Sequence, residues 1–236
     1  MKIRILAYDG ADELDFVGPL EVFRRAAKLR TDIDVALTTL EPQTKVTAAH
    51  GLCVHPDGVL EDRVDLLVVP GGGFVNRAPA GVRAEIERGE LPRRIAALKK
   101  DGAIVAGVCT GTMAVSAAGL LDGRPATTHH AALDNLRATR AHVIEARVVD
   151  DGDILTCGGV TSSLDLALWV VERFWGAETA AVVARDLEYT WTRDVHISER
   201  TLGPRPRRYD FRSCFRSASW PNPLLSSRIH ISSLTF

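Results

Sequence analysis

Short apolar runs alternate along the chain with segments in which apolar residues recur at helical spacing. The runs are typical of strands buried on both faces of a parallel sheet, and they predict strands at residues 3–7, 35–40, 66–69 and 103–108. Helical spacing predicts a helix that opens at Gly18-Pro19 and further helices at 92–100, 110–121 and 163–175. This alternation favours an α/β fold with a mostly parallel sheet between two layers of helices.

Two further features concern the organisation of the chain. The acidic turn at 150–153 predicts a hairpin between strands at 143–149 and 154–157. From residue 190 onward apolar periodicity fades, and the chain carries eight Arg but no Lys, together with eight Ser and four Pro. We therefore predict an α/β domain at 1–189 and a poorly packed Arg/Ser/Pro-rich extension at 190–236, with a basic partner-binding arm as the alternative.

Composition narrows the classes of function. Hydrophobic residues make up 46% of the 236 residues and the formal net charge is -1, which argues against a protein that binds nucleic acid through overall charge. The four cysteines include no CxxC pair, so neither a disulfide scaffold nor a zinc cluster is predicted. Apolar runs are too short for a signal peptide or a membrane span. These features predict a cytoplasmic protein without a membrane or nucleic-acid partner.

The junction after the fourth predicted strand carries the strongest chemical signal. Cys109 ends that strand and a helix of small residues follows at once, with Gly107 and Gly111 two positions to either side. This spacing is that of a nucleophile elbow with cysteine in place of serine. Because a helix N-terminus favours an anion, we predict that the pKa of the thiol lies below its ordinary value. The backbone amide of Thr110 is expected to face the developing charge.

Glycines also follow the third predicted strand, in the segment Pro70-Gly71-Gly72-Gly73. Residues without side chains allow a ligand to approach the backbone closely. We therefore predict that Gly72 and Gly73 bind substrate, with the Gly72 amide as a second anion donor. A simple tight turn is the alternative.

Asp15 is a carboxylate just past the first strand, in front of the first predicted helix. One interpretation is a capping or charge–dipole role at that helix. The other is an acid–base partner of Cys109. In that case burial and a neighbouring thiolate raise the pKa of Asp15, so that it holds a proton near neutral pH.

His129 and Gly159 complete the candidate pocket. Residues 126–129 resemble a short strand that enters a helix, which favours His129 over His130 as the residue near the site, although a purely structural histidine remains the alternative. Gly159 lies where another strand ends and a helix begins, so it is predicted to line a pocket. The remaining histidines lack metal-ligand spacing, and no metal site is predicted.

Taken together, these segments resemble the ThiJ/PfpI superfamily, which shares the class I glutamine amidotransferase-like fold. The matching segments are 14–23, 70–72, 108–112, 117–121, 126–129 and 158–161, the last running into Asp165. The resemblance implies a flavodoxin-like three-layer sandwich with a cysteine nucleophile elbow. It also implies a homodimer that uses neither a metal nor an organic cofactor.

Within the superfamily the chain looks most like the isonitrile hydratase branch. That resemblance implies a hydro-lyase with Cys109 as nucleophile, Thr110 beside it and Asp15 as an essential acid. The peptidase-like branch has a histidine directly after the cysteine, where Thr110 stands, and the deglycase-like branch has a glutamate in place of Asp15. Two alternatives remain: a non-catalytic small-molecule sensor related to AraC-type regulators, and a redox or carbonyl-stress protein.

Overall fold

A mostly parallel β-sheet forms the centre of the protein, as the alternation of strands and helices predicts. The structure is a computed structural model that describes residues 1–202. The strands in this range are β1 (Lys2–Leu6), β2 (Asp34–Thr39), β3 (Val46–Thr47), β4 (Cys53–Val54), β5 (Gly58–Val59), β6 (Leu66–Val69), β7 (Ile104–Val108), β8 (Pro125–Ala126), β9 (His142–Val143), β10 (Val148–Asp150), β11 (Ile154–Cys157) and β12 (Val195–Ile197). The α-helices are α1 (Glu13–Leu29), α2 (Val82–Arg88), α3 (Glu90–Lys100), α4 (Gly111–Ala117), α5 (Leu133–Arg137), α6 (Ser162–Trp175) and α7 (Ala177–Asp186).

The main sheet has the strand order β12-β10-β11-β7-β6-β1-β2-β5. Its neighbouring strands are parallel except for the antiparallel pair β10 and β11. Helices α1, α6 and α7 pack together in one layer, and α2, α3 and α4 in another. The predicted three-layer α/β sandwich is confirmed, and strands such as β6 are buried along their whole length because helices cover both faces.

Helix α1 begins earlier than the sequence pattern predicts. It starts at Glu13 rather than at Gly18-Pro19, because the Asp12 carboxylate accepts a hydrogen bond from the Leu14 N–H at 3.2 Å and caps the helix. Pro19 therefore lies inside the helix, where it lacks an N–H to donate. Asp15, expected in front of the helix, belongs to its first turn. No helix within residues 1–202 is both long and apolar enough to cross a membrane.

The predicted hairpin is confirmed in β10 and β11, which pair antiparallel with Val148 opposite Cys157. Its first strand is shorter than predicted. Residues His142–Val143 instead form β9, which pairs with β8 in a separate two-stranded sheet. This second pairing holds β8 beside the main sheet, and the loop after β8 carries His129.

Residues 190–202 differ from the predicted poorly packed extension. Strand β12 pairs in parallel with β10, with His196 opposite Val149, and the Thr201 hydroxyl donates to the Asp150 carbonyl at 2.9 Å. The packed unit accordingly runs to Leu202. A three-residue strand at a sheet edge has too short an apolar pattern to stand out in the sequence. The rest of the predicted extension, 203–236, lies outside the described residues.

Asp150 is a buried carboxylate that ties this edge of the sheet together. It accepts hydrogen bonds from the Trp169 indole at 2.8 Å and from the Arg173 guanidinium at 3.0 Å. We expect Asp150→Ala to lower the free energy of unfolding by about 3–5 kcal/mol, because Arg173 loses its buried partner. Denaturant unfolding measures this loss. Asp153→Ala, at a side chain that is 51% exposed, is expected to cost less than about 1 kcal/mol, and equal losses would contradict the prediction.

Candidate active site

Cys109 lies in a strained turn between β7 and α4. Its φ is +54°, a left-handed conformation that non-glycine residues seldom adopt. The flanking glycines permit close packing around this turn. A Cβ on Gly107 would lie 2.8 Å from the Thr112 Cα, and a Cβ on Gly111 would lie 2.1 Å from the Val69 carbonyl oxygen. Side chains at these two positions would therefore displace α4 from the sheet.

Two neighbouring segments hold Cys109 in this turn. Its N–H donates to the Gly158 carbonyl oxygen at 3.1 Å, and the Thr128 hydroxyl donates to its carbonyl oxygen at 2.8 Å. Only 5% of the residue is exposed. The loops after β8 and β11 thus fix the position of the sulfur from both sides.

Asp15 reaches the same point from the first turn of α1. It is fully buried, and its Oδ2 accepts a hydrogen bond from the Gly71 N–H at 2.9 Å. Its Oδ1 has no hydrogen-bond partner among residues 1–202. A Cβ on Gly71 would lie 3.0 Å from Asp15 Oδ2 and 2.5 Å from Thr110 Oγ1, so the carboxyl group lies beside the Cys109 turn. The carboxyl group thus has one oxygen held by the backbone and one oxygen free to exchange a proton.

The electrostatics of this pair only partly match the expectation. Burial, reinforced by the charge of Asp12, raises the pKa of Asp15 to about 7, as predicted in direction. Burial and then Asp15 also raise the pKa of Cys109 above its ordinary value. The predicted depression of that pKa is therefore wrong, because the amides of Thr110 and Val160 favour the thiolate less than burial and Asp15 oppose it. In the resting protein the sulfur carries the proton.

Thr110 links the cysteine turn to the glycine-rich loop after β6. Its Oγ1 accepts a hydrogen bond from the Gly72 N–H at 3.1 Å. The Gly72 amide, predicted to face a substrate anion, is therefore already bonded within the protein. Gly73 has φ +69°, and a Cβ on it would lie 2.2 Å from the Ala80 carbonyl oxygen. This close packing explains why residue 73 is a glycine, and the substrate contact of Gly73 stays a prediction.

His129 and Gly159 line a surface cleft of about 500 Å³ between the loops after β8 and β11. The Nδ1 of His129 accepts a hydrogen bond from the Ala131 N–H at 3.1 Å, which leaves the ring proton of the neutral form on Nε2. Burial and the neighbouring His130 lower the pKa of His129. The cleft is thus bordered by an uncharged imidazole.

Residues that sequence reasoning missed also border this cleft. Val160 has φ +47° and lines the cleft, and its backbone amide opposes the rise in the pKa of Cys109 and of Asp15. Arg147 lines the cleft and forms an ion pair with buried Asp165. The Gly158-Gly159 pair just before Val160 is the sequence signal for this loop, whereas nothing in the pattern marks an apolar residue as a backbone donor.

Possible metal ligands come together at a single place in the described part of the chain. Asp12, Glu13 and His50 bring ligand-type atoms within 4.8 Å of one another. Glu13 already accepts hydrogen bonds from the backbone N–H groups of His50 and Leu52. Both carboxylates stand at the positive end of α1, which disfavours a cation. We assign no metal to this group.

A side chain at Gly159 would test whether His129 contributes to binding in the cleft. A Cβ on Gly159 would lie 2.2 Å from the His129 Cδ2. We therefore expect Gly159→Ala to displace the imidazole and to raise the KM for a substrate bound in this cleft about 10-fold. Steady-state kinetics measure this change. Gly58→Ala is the matched control, because a Cβ on Gly58 meets nothing within 4 Å. An unchanged KM in Gly159→Ala would exclude His129 from substrate binding.

The sequence and the fold together are those of a known family. The sequence matches the DJ-1/PfpI family over residues 1–173, and the chain belongs to that family. Isonitrile hydratase from Pseudomonas putida is 34% identical over 191 residues, which cover 80% of this chain and 78% of the relative. The Parkinson disease protein 7 homolog of Danio rerio is 31% identical over 78% of this chain and 94% of its own length.

A solved structure supports the same assignment. The THiJ/PfpI family protein from Pseudomonas syringae superposes with a TM-score of 0.69 at 26% identity, covering 88% of this chain and 77% of that protein. Relatives named as a deglycase and as an HTH-type transcriptional regulator also match the sequence. Family membership therefore leaves the reaction open, and the site has to decide it.

Proposed function

We propose that the protein hydrates a small isonitrile, R–N≡C, to an N-substituted formamide, using Cys109 as the nucleophile. The observation that carries this proposal is the buried Asp15 carboxyl group beside the Cys109 turn, with one oxygen that has no hydrogen-bond partner among the described residues. The likeness to a relative named isonitrile hydratase supports it. In this reaction the terminal carbon of the isonitrile forms one bond to sulfur and one bond to hydrogen. A thiol beside a carboxylate can supply both, because the carboxylate can carry the proton from the sulfur to the carbon.

The first half of the reaction forms a covalent adduct. Asp15 takes the thiol proton as the Cys109 sulfur attacks the terminal carbon, and then delivers that proton to the same carbon. The product is a thioimidate, R–N=CH–S–Cys109, and Asp15 returns to its ionised form. A pKa of about 7 suits Asp15 to both steps, because it can accept and release a proton near neutral pH.

The second half consumes water. Asp15 removes a proton from a water molecule that adds to the thioimidate carbon, and it passes that proton to the nitrogen, so that the carboxylate is ionised again. The resulting R–NH–CH(OH)–S–Cys109 collapses as the C–S bond breaks, the hydroxyl proton returns to sulfur, and the formamide leaves. We assign the water to the Thr110 hydroxyl, whose oxygen accepts from Gly72 and whose proton is free to donate. We assign to the neutral His129 a hydrogen bond from its Nε2–H to the substrate nitrogen, since its Nδ1 already accepts from Ala131.

The test is a substrate panel with the purified chain: benzyl isonitrile, methylglyoxal and a short peptide, each followed by mass spectrometry. We expect N-benzylformamide from the isonitrile and no turnover of the other two. Formamide at the background rate, or conversion of the 2-oxoaldehyde instead, would overturn the proposal. The homodimer implied by the resemblance is part of it, and sedimentation velocity checks the dimer.

A second candidate is a non-catalytic module that binds a small molecule in the cleft lined by His129 and Gly159, a cleft whose lining residues do not include Cys109 or Asp15. The observation in its favour is the protonated, almost fully buried Cys109 thiol, since a raised pKa keeps the reactive thiolate scarce. The same raised pKa weighs against a redox role, because oxidants react with the thiolate. A ligand-dependent rise in Tm without product formation would favour the binding module over the enzyme.

A further inference from the structure

Two hydroxyl groups in the cleft beside His129 have no hydrogen-bond partner among residues 1–202. They belong to Ser162, which is 4% exposed, and Thr127, which is 2% exposed. Both residues line the cleft of about 500 Å³, and neither hydroxyl oxygen is fully sealed from solvent. Because buried polar groups are nearly always hydrogen-bonded, two open hydroxyls in one cleft point to a ligand that supplies their partners.

The local structure leaves both hydroxyls available. Ser162 begins α6, and its N–H already donates to the Gly159 carbonyl oxygen at 3.0 Å. A Cβ on Gly158 would lie 3.0 Å from Ser162 Oγ, so the glycine keeps the space beside this hydroxyl open. The Thr127 N–H donates to the Thr156 hydroxyl at 2.9 Å. The backbone donors of both residues are thus satisfied within the protein, and only the side-chain hydroxyls remain for a ligand.

The wall of the cleft is bonded directly to the nucleophile. Gly158 and Thr128 both line the cleft. The Gly158 carbonyl oxygen accepts from the Cys109 N–H at 3.1 Å, and the Thr128 hydroxyl donates to the Cys109 carbonyl oxygen at 2.8 Å. A substrate whose reacting carbon meets the sulfur can therefore place its remaining atoms in the cleft.

The charges around the cleft disfavour an acidic ligand. The lining residues Glu145 and Arg147 each have an oppositely charged partner, Arg137 and Asp165 respectively. The Asp194 carboxylate also lines the cleft, where it accepts from the Arg147 N–H at 3.3 Å, and it has no cationic partner in the described part of the chain. The uncompensated charge is therefore negative and repels a carboxylate.

A neutral acceptor oxygen fits the inner end of the cleft better than a cation does. The Ser162 hydroxyl stands at the N-terminus of α6, a 14-residue helix whose dipole places positive potential there. The two hydroxyls supply protons to an acceptor, whereas a cation would face the positive end of the helix. An ester or amide carbonyl oxygen meets both conditions.

We propose that this cleft is the specificity pocket for the isonitrile substituent, and that it takes a neutral substituent whose carbonyl oxygen accepts hydrogen bonds from Ser162 and Thr127. The two residues touch the substituent and take no part in the proton transfers between sulfur, carboxylate and carbon. The inference rests on the proposed function for its turnover readout, whereas its binding readout is independent of any reaction.

The experiment compares two isonitriles of matched shape. Methyl isocyanoacetate carries an ester, and 2-methylbutyl isocyanide has CH–CH₃ and CH₂ in place of its C=O and O. Because the ester gains two neutral hydrogen bonds, we expect its kcat/KM to be about 10-fold higher, with the carboxylate isocyanoacetate poorer than both. The corresponding formamides, methyl N-formylglycinate and N-(2-methylbutyl)formamide, do not react, so calorimetry measures the same preference as a ratio of Kd values.

Substitutions in the cleft assign the preference to the hydroxyls. Ser162→Ala is expected to lower kcat/KM for the ester about 3- to 10-fold and to leave the alkyl compound within about 2-fold. Thr127→Val keeps the shape of the side chain and is expected to act in the same way. Ser116→Ala is the matched control, because this half-buried serine of α4 does not line the cleft, and neither rate is expected to change.

Each outcome decides the inference. A loss confined to the ester in either cleft variant supports it. Equal rates for the ester and the alkyl compound in the unmodified chain overturn it and leave water as the partner of the hydroxyls. Unchanged ester rates in both variants, or equal losses for both compounds, also overturn it. If no isonitrile is hydrated but the ester formamide binds more tightly and Ser162→Ala removes this preference, the pocket is established and only the proposed hydration fails. If neither formamide binds either, both fail.

Discussion

Alanine in place of Cys109 is expected to abolish formamide production, with kcat/KM for benzyl isonitrile lowered by at least about 10³-fold. Without the sulfur no thioimidate forms, and the remaining groups cannot supply a nucleophile that splits the addition of water into two easier steps. Product formation measured by mass spectrometry gives the ratio directly. The loss is expected to be in kcat, because the groups that line the cleft are unchanged.

Other thiols of the chain serve as controls for this substitution. Cys53 is exposed and Cys157 is buried next to the site. Cys53→Ala is expected to keep full activity, and Cys157→Ala to keep activity within about 3-fold, because neither sulfur is at the strained turn. Turnover by Cys109→Ala at the rate of these controls would exclude covalent catalysis. A folded Cys109→Ala chain, checked by circular dichroism, separates loss of chemistry from loss of structure.

Activity is expected to rise with pH through about 7 and then to level off. The reactive form of the pair holds one proton, and below the Asp15 pKa of about 7 the pair holds two. As pH increases through that value, Asp15 ionises while the Cys109 thiol keeps its proton, since the pKa of the thiol is raised as well. The pH dependence of kcat/KM measures this limb. Asp15→Asn is expected to lower kcat/KM about 10²- to 10⁴-fold and to remove the limb.

The free energy of unfolding is expected to change with pH in the direction opposite to activity: it falls as pH rises. The pKa of Asp15 rises from 3.8 in the unfolded chain to about 7 in the folded protein, so between these pH values the unfolded chain releases a proton that the folded protein retains. The free energy of unfolding therefore falls as pH rises from about 4 to about 7, by on the order of 4 kcal/mol from this group. Denaturant unfolding at a series of pH values measures the decline.

Comparison with a neighbouring carboxylate isolates this effect. Asp15→Asn is expected to flatten the decline, whereas Asp12→Asn keeps a capping side chain at the start of α1 and is expected to preserve most of it. An Asp15→Asn chain whose stability falls with pH as steeply as the unmodified protein would show that Asp15 is ionised throughout. In that case the carboxylate could not act as an acid near neutral pH.

Structural elements whose signal lies in a few neighbouring positions of the sequence were predicted well. The four buried strands, the hairpin at β10 and β11, and the turn at Cys109 all follow from local runs of apolar residues and glycines. The start of α1 was missed because the pattern around Gly18-Pro19 suggests a helix start more strongly than the Asp12 cap does. Strand β12 was missed because three residues at a sheet edge carry almost no periodicity.

The sequence by itself determined the layered α/β architecture and the position of a cysteine between a strand and a helix, because hydrophobic spacing and flanking glycines act over a few residues. Only the tertiary structure decided which groups surround that cysteine. The predicted helix-end effect on the thiol was outweighed by burial and by Asp15, which comes from a helix more than ninety residues away in the chain. Desolvation and charge pairing act between residues that folding brings together, so no local pattern records them.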